Sequence, residues 1–182
     1  DIYLIHDQFY GEGEHEYRQH FHFAPEGEIF TEGNLVTFRG KETSVFLNFL
    51  TKDAVLEKNR GVTSRHYNQW EENDTVTAVL KKEGFASMIT VINGGSSSGA
   101  EPAEVKFVDT TSHTLHKPLE ESEAQSVKIT VGKRSYVIIL CNDEVFHTSD
   151  AVIADECFAV VNVCVFNVSD RKKGERLYAG EV

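Results

Sequence analysis

Apolar and polar residues alternate with a period of two along most of this chain. Tyr17, Phe21 and Phe23 are interleaved with Arg18, His20 and His22, and Val45, Leu47 and Phe49 with Ser44, Phe46 and Asn48. The runs Thr75 to Leu80 and Ser126 to Val131 repeat the theme. Side chains on a strand point to opposite faces in turn, so this period predicts half-buried antiparallel strands with one wet face. Turn chemistry separates the runs, at Pro25-Glu26-Gly27, Glu32-Gly33-Asn34, Arg39-Gly40-Lys41, Glu83-Gly84, Gly132-Lys133 and Asn142-Asp143-Glu144. Gly132-Lys133 lies between two β-rich runs and predicts a tight hairpin. Only Asp53 to Lys58 passes for a helical turn, and its flanks favour a strand. The expected fold is all-β: an antiparallel sandwich of jelly-roll or supersandwich type, with roughly a dozen strands and little or no helix.

One stretch breaks the pattern. Asn93-Gly94-Gly95-Ser96-Ser97-Ser98-Gly99-Ala100-Glu101-Pro102 has the composition of a flexible linker. The expectation is a single sandwich domain over residues 1–182, with a loop near 93–103 separating two sheets. Ser112 to Gln125 is a second polar stretch. No fixed-period repeat or heptad is present.

Composition narrows the function classes. The chain has 182 residues, 40% hydrophobic and 26% charged, enough to bury a core. Its formal charge of −11 argues against nucleic acid, which requires clustered Lys and Arg. The same charge repels polyanions, so any cationic contact with one must be local. No apolar run approaches the ~20 residues of a membrane helix. Cys141, Cys157 and Cys164 lie in apolar, strand-like runs, and an odd number there reads as buried free thiols in a reducing compartment. A disulfide from Cys141 to one of the others remains open. Asn73-Asp74-Thr75 and Asn167-Val168-Ser169 match the glycosylation sequon, which is too common to carry weight.

Two groups of residues are candidates for chemistry. His20 and His22 are two apart on a strand and share a face. With Glu16 or Arg18 beside them they fit a metal or a uronate, although a third metal ligand must come from elsewhere. The plainer reading is a polar outer face. Arg65, His66, Tyr67 and Trp70 form the best sugar contact, because aromatic rings stack on pyranoses and Arg forks onto carboxylates. The competing and favoured reading is a loop pinned to the core by Tyr67 and Trp70, the chain's only tryptophan. His6, His15, His113, His116 and His147 are scattered. None accompanies a nucleophile with an orienting acid, and no phosphate-cradling glycine loop is present.

The opening carries a resemblance. Asp7-Gln8-Phe9-Tyr10-Gly11-Glu12-Gly13-Glu14-His15, followed by His20-Phe21-His22-Phe23-Ala24-Pro25, resembles the C-terminal β-domain of the heparinase II/III-like polysaccharide lyases. Ser64 to Glu71, Ser87 to Ile92 and the tail from Ala159 to Ala179 are similar to later parts of that domain more loosely. The chain opens in mid-strand, and the expectation is a piece of a larger protein. The resemblance implies an α/α toroid ahead of the sandwich, as a partner, and a parent enzyme that cleaves uronate-containing glycans by β-elimination. It also implies that the catalytic Tyr and His come from upstream motifs not found here, so no catalytic residue is expected in this chain. A zinc or calcium ion belongs, on that reading, to the full-length parent. Such lyases are often periplasmic or secreted, whereas the thiols lean towards the cytoplasm. Two other classes stand beside this one: a free-standing carbohydrate-binding module of jelly-roll type, and a purely structural domain packed on a toroid.

Overall fold

The computed structural model describes residues 1–142, 151–160, 162–170 and 175–180. Every regular element among them is a strand, sixteen in all, and every pairing is antiparallel. The surplus over the expected dozen includes three-residue strands, too short to show a period. The segment at Asp53 forms a turn with positive φ (64°), and a strand starts at Val55.

The chain divides into two compact units, Asp1–Pro102 and Ala103–Val182. In the first, β1 (Ile2–Phe9), β8 (Ala86–Ser96), β5 (Thr43–Phe49), β4 (Leu35–Arg39) and β3 (Glu28–Glu32) form a five-stranded sheet in that order. The facing sheet is β2 (Glu14–His22), β7 (Gln69–Glu83) and β6 (Val55–His66). The opening strands β1 and β2 therefore do not pair. Each takes its partner from far along the chain, Ile2 opposite Asn93 and His22 opposite Thr75.

The first core lies between these sheets. Val36, Phe38, Leu47, Phe49 and Met88 on one side meet Val76, Ala78 and Leu80 on the other. Three aromatic pairs link the layers: Phe9 with Tyr17 at 4.4 Å, Phe21 with Phe49 at 5.4 Å and Phe23 with Phe38 at 5.5 Å. Tyr17, Phe21 and Phe23 thus face inward and His20 and His22 outward, as the alternation predicts. Gln19 shares the inward face and is 6% exposed. Its amide donates to Asp7 Oδ2 (2.7 Å), and its carbonyl accepts from Thr90 Oγ1 (2.8 Å). The polar side chain is tolerated because each end is satisfied.

Two glycine signals resolve differently. Gly132 has φ 57° at the first central position of a two-residue turn between Val131 and Arg134, the geometry that a II′ hairpin requires. Gly94 and Gly95, expected in a linker, belong to β8 and pair with Val45 and Ser44. A Cβ on Gly94 would lie 2.7 Å from the Ser44 carbonyl oxygen, so glycine serves close backbone approach there.

In the second unit β16 (Glu175–Gly180), β15 (Val163–Asn167), β12 (Arg134–Cys141), β11 (Ala124–Val131) and β9 (Glu104–Val108) form a five-stranded sheet. The closing hairpin β15–β16 carries a register shift between Val165 and Phe166. A three-stranded sheet of β10 (Thr110–Ser112), β13 (Val152–Ala154) and β14 (Cys157–Ala159) accompanies it. Val137, Ile139, Cys164 and Phe166 pack with Val152, Ala154, Cys157 and Ala159. All three thiols are free, so no disulfide forms from Cys141. Burial raises the pKa of Cys157 and Cys164, helped at Cys157 by the Asp155 carboxylate. The predicted turn at Asn142-Asp143-Glu144 and His147 lie outside the described residues beyond Asn142.

Candidate functional site

The candidate sugar-contact residues gather at the tip of the β6–β7 hairpin. These two long strands pair from Val55 opposite Val79 to His66 opposite Gln69. Tyr67 and Asn68 form the two-residue turn, with Asn68 at φ 60°. Asn tolerates that left-handed conformation better than most side chains. Between Thr63 and His66 the register shifts, leaving Ser64 and Arg65 opposite Trp70 alone. This is a bulge, which bends the strand and redirects a side chain. Ser64 Oγ donates to the His66 carbonyl at 2.8 Å and braces it.

The bulge brings Arg65 onto Glu26, in the turn before β3. Both guanidinium nitrogens, Nη1 and Nη2, donate to the two carboxylate oxygens. The Arg65 hydrogen bonds hold the Glu26 pKa below its ordinary value, with a contribution from the backbone of Glu26 itself, and the same pair raises that of Arg65. Further in, Arg60 and Lys58 flank Asp74 at 3.1 and 3.2 Å, bracing the base of the hairpin.

The aromatic residues are not hooks. Trp70 is 71% exposed and Tyr67 fully so, which overturns the favoured expectation that they pin a loop to the core. The strand period explains why. On β7, Trp70, Glu72 and Asp74 share a face with Val76, Ala78 and Leu80, which fill the core. Trp70 therefore lies on the core-facing side, at a level where the exposed tip has no packed second layer to cover it. Val62, opposite Glu72, lies on the same side and is also exposed. The result is an overhanging shelf with an indole, an oriented guanidinium and a neighbouring phenol. His66, at the end of β6, is exposed as well.

His20 and His22 lie apart from this tip, on the outward face of β2. His20 Nδ1 is 2.9 Å from Thr77 Oγ1 on β7. His22 lies near Gly61, whose missing Cβ would sit 3.9 Å from His22 Cε1 and 2.7 Å from Thr75 Cγ2. Beside them run Arg18–Glu16 (2.7 Å), Arg18–Glu57 (3.7 Å) and Lys81–Glu16 (3.5 Å), a ladder of exposed ion pairs. Among the described residues no group of three or more His, Cys, Asp or Glu is arranged to hold a metal ion. The two histidines share a face as their spacing predicts, without a third ligand from this set.

Sequence reasoning missed Glu26 and Val62. Glu26 reads only as a turn residue, and nothing in a linear pattern joins it to Arg65. Val62 could be found only once the register of β6 against β7 is known.

Comparison with protein-family models, with curated proteins and with solved structures gave no significant match.

Proposed function

We propose that this chain is a non-catalytic β-sandwich portion of a polysaccharide lyase acting on uronate-containing glycans. On this reading it touches the glycan through the overhang of the β6–β7 hairpin. The observation that carries the proposal is the exposure of Trp70 and Tyr67 beside an Arg65 already held in orientation. An exposed indole otherwise disfavoured in water suits the apolar face of a pyranose. The Arg65 fork matches a carboxylate, and Glu26 keeps that fork aimed until a uronate exchanges with it. The resemblance of the opening residues to heparinase II/III-like lyases supplies the enzyme class, and places base and acid in the rest of the parent. Proton abstraction and leaving-group protonation are therefore assigned to no residue here.

Two observations favour the runner-up, a carbohydrate-binding module for neutral glycans. Glu26 already neutralises Arg65, and the chain carries a charge of −11. Both weaken the attraction for a polyanion.

Trp70 fluorescence decides between them. Titration with an oligouronate is expected to shift the emission and saturate. Salt should strengthen that binding by screening repulsion between like charges. Followed by calorimetry, which needs no tryptophan, Trp70→Ala should abolish binding, and Glu26→Gln, which releases Arg65, should tighten it. A response to neutral oligosaccharides alone selects the runner-up. No response to either class refutes both.

A further inference from the structure

Four strands of the first unit end its two sheets: β1 and β3 on one, β2 and β6 on the other. An end strand offers one side of its backbone to any other chain, and soluble proteins guard such edges with charge. Three of the four are guarded. Glu28 and Glu32 stand on β3, Glu16 and Arg18 on β2, and Lys58 and Arg60 on β6. β1 is not. From Ile2 to Phe9 its one carboxylate is Asp7, and Asp7 Oδ2 accepts from Gln19 inside the sandwich at 2.7 Å. The strand contains no Pro, Gly, Lys or Arg, and it pairs with β8 over its full length without a register shift. No strand among the described residues pairs with its other side.

The sequence of β1 also matches itself. In an antiparallel pair related by a two-fold axis perpendicular to the sheet, directly opposed residues share a face. The axis therefore passes beside a residue that meets its own copy. Asp7 and Phe9 face the interior of the sandwich, towards Gln19 and Tyr17, and the strand period puts Ile5 and Tyr3 on the same face. Centring the axis on Ile5 sets Ile5 against Ile5, Leu4 against His6, Tyr3 against Asp7 and Ile2 against Gln8. No like charges meet in that register. Centring on Leu4 instead sets Asp1 against Asp7, and centring on His6 sets two imidazoles together. Like charges directly opposite each other are destabilising, which selects Ile5.

We infer that β1 is a homodimerisation edge, through which two copies of this chain pair antiparallel over Ile2 to Gln8 about a two-fold axis at Ile5. Their five-stranded sheets then run into one continuous sheet. Two-fold dimers are the commonest closed assemblies, and strand addition draws its affinity from main-chain hydrogen bonds and its register from alternate side chains. A charge of −11 on each chain opposes the approach of two copies, so the unguarded edge is where they meet at least cost. The inference involves neither the hairpin tip nor the proposed lyase function.

The test is sedimentation equilibrium of the whole chain across the micromolar range, with amide hydrogen exchange followed at both ends of that range. A reversible dimer is expected, with the amides of β1 gaining protection as it forms. Tyr3 is 60% exposed, so replacing it spares the monomer. Tyr3→Glu meets Asp7 of the second copy twice in each dimer and should weaken association about tenfold, whereas Tyr3→Lys, an equal change to the monomer, should not. A chain that stays monomeric throughout overturns the inference and leaves the edge to a strand of some other protein. A dimer whose β1 amides exchange as fast as those of the monomer overturns it too, because the contact then lies elsewhere. Equal effects of Tyr3→Glu and Tyr3→Lys overturn the register, and with it the pairing inferred here.

Discussion

Replacing Gln19 by leucine should destabilise the first unit despite removing a polar group from its core. The amide of Gln19 donates to Asp7 Oδ2 at 2.7 Å, and its carbonyl accepts from Thr90 Oγ1 at 2.8 Å. Thr90 is fully buried. In the Leu variant its hydroxyl loses its acceptor at a cost of about 1–3 kcal/mol. Asp7 loses a charge-assisted bond, worth about 1.5–3 kcal/mol when fully buried and less here because Asp7 is only half-buried. Burying leucine in place of the amide returns about 1–2 kcal/mol. The net loss is about 1–3 kcal/mol. The triple variant Asp7→Leu/Gln19→Leu/Thr90→Val removes both side-chain partners together, leaving only the Met88 carbonyl without its long contact (3.5 Å), and should recover most of that loss. Trp70 is a poor reporter because it is already exposed. Amide hydrogen exchange in β1, β2 and β8 reads the first unit locally and avoids assuming two-state unfolding of a two-unit chain. A single Gln19→Leu variant as stable as the parent would refute the claim that this side chain satisfies both neighbours.

Two further outcomes follow from packing and burial. Gly27→Ala should cost about 1–3 kcal/mol or more, because the new Cβ would fall 2.0 Å from Phe38 Cε2 in a ring already stacked on Phe23; calorimetry checks this, and a fully stable variant would show that Phe38 has room to move. Burial raises the Cys157 and Cys164 pKa values, so the folded thiols keep their protons where unfolded ones ionise. Their contribution is therefore complete below the ordinary thiol pKa of about 8.5 and is lost as pH rises towards the folded values. Urea melts of the second unit should weaken with rising alkaline pH, and Cys157→Ala/Cys164→Ala should flatten that slope; an unchanged slope refutes the assignment.

The strand period was legible because it is local. Tyr17, Phe21 and Phe23 turn inward and His20 and His22 outward for the same reason, the pleat, and Gly132 occupies the turn its conformation suits. What the sequence hid is non-local. Gln19 looks like a surface residue until Asp7 and Thr90 arrive from two other strands. Gly94 and Gly95 read as linker because their role depends on the Ser44 and Val45 backbone. Trp70 reads as a hook because strands flank its loop and the overall charge disfavours a polyanion; its exposure depends on how far β7 extends beyond the packed core. The pairing of Arg65 with Glu26 needs the bulge at Ser64, which no composition predicts.

The pairing of β1 with β8 also sets an order of assembly. The β3–β4–β5 meander and the β6–β7 hairpin join neighbours in sequence, so each can form as soon as it is synthesised. The first strand cannot. Its partner comes almost the whole unit later, with Ile2 waiting for Asn93 and Phe9 for Ala86. On the ribosome Ile2 to Phe9 therefore emerge well ahead of β8 and remain without their pairing edge until Ser96 has been made. During that interval an apolar segment is available to chaperones, or to the same segment of another nascent chain. Pulse-labelled exchange during refolding should find the amides of β1 among the last in the unit to gain protection. Slowing synthesis just before Ala86 should lower the soluble yield more than slowing it just after Ser96.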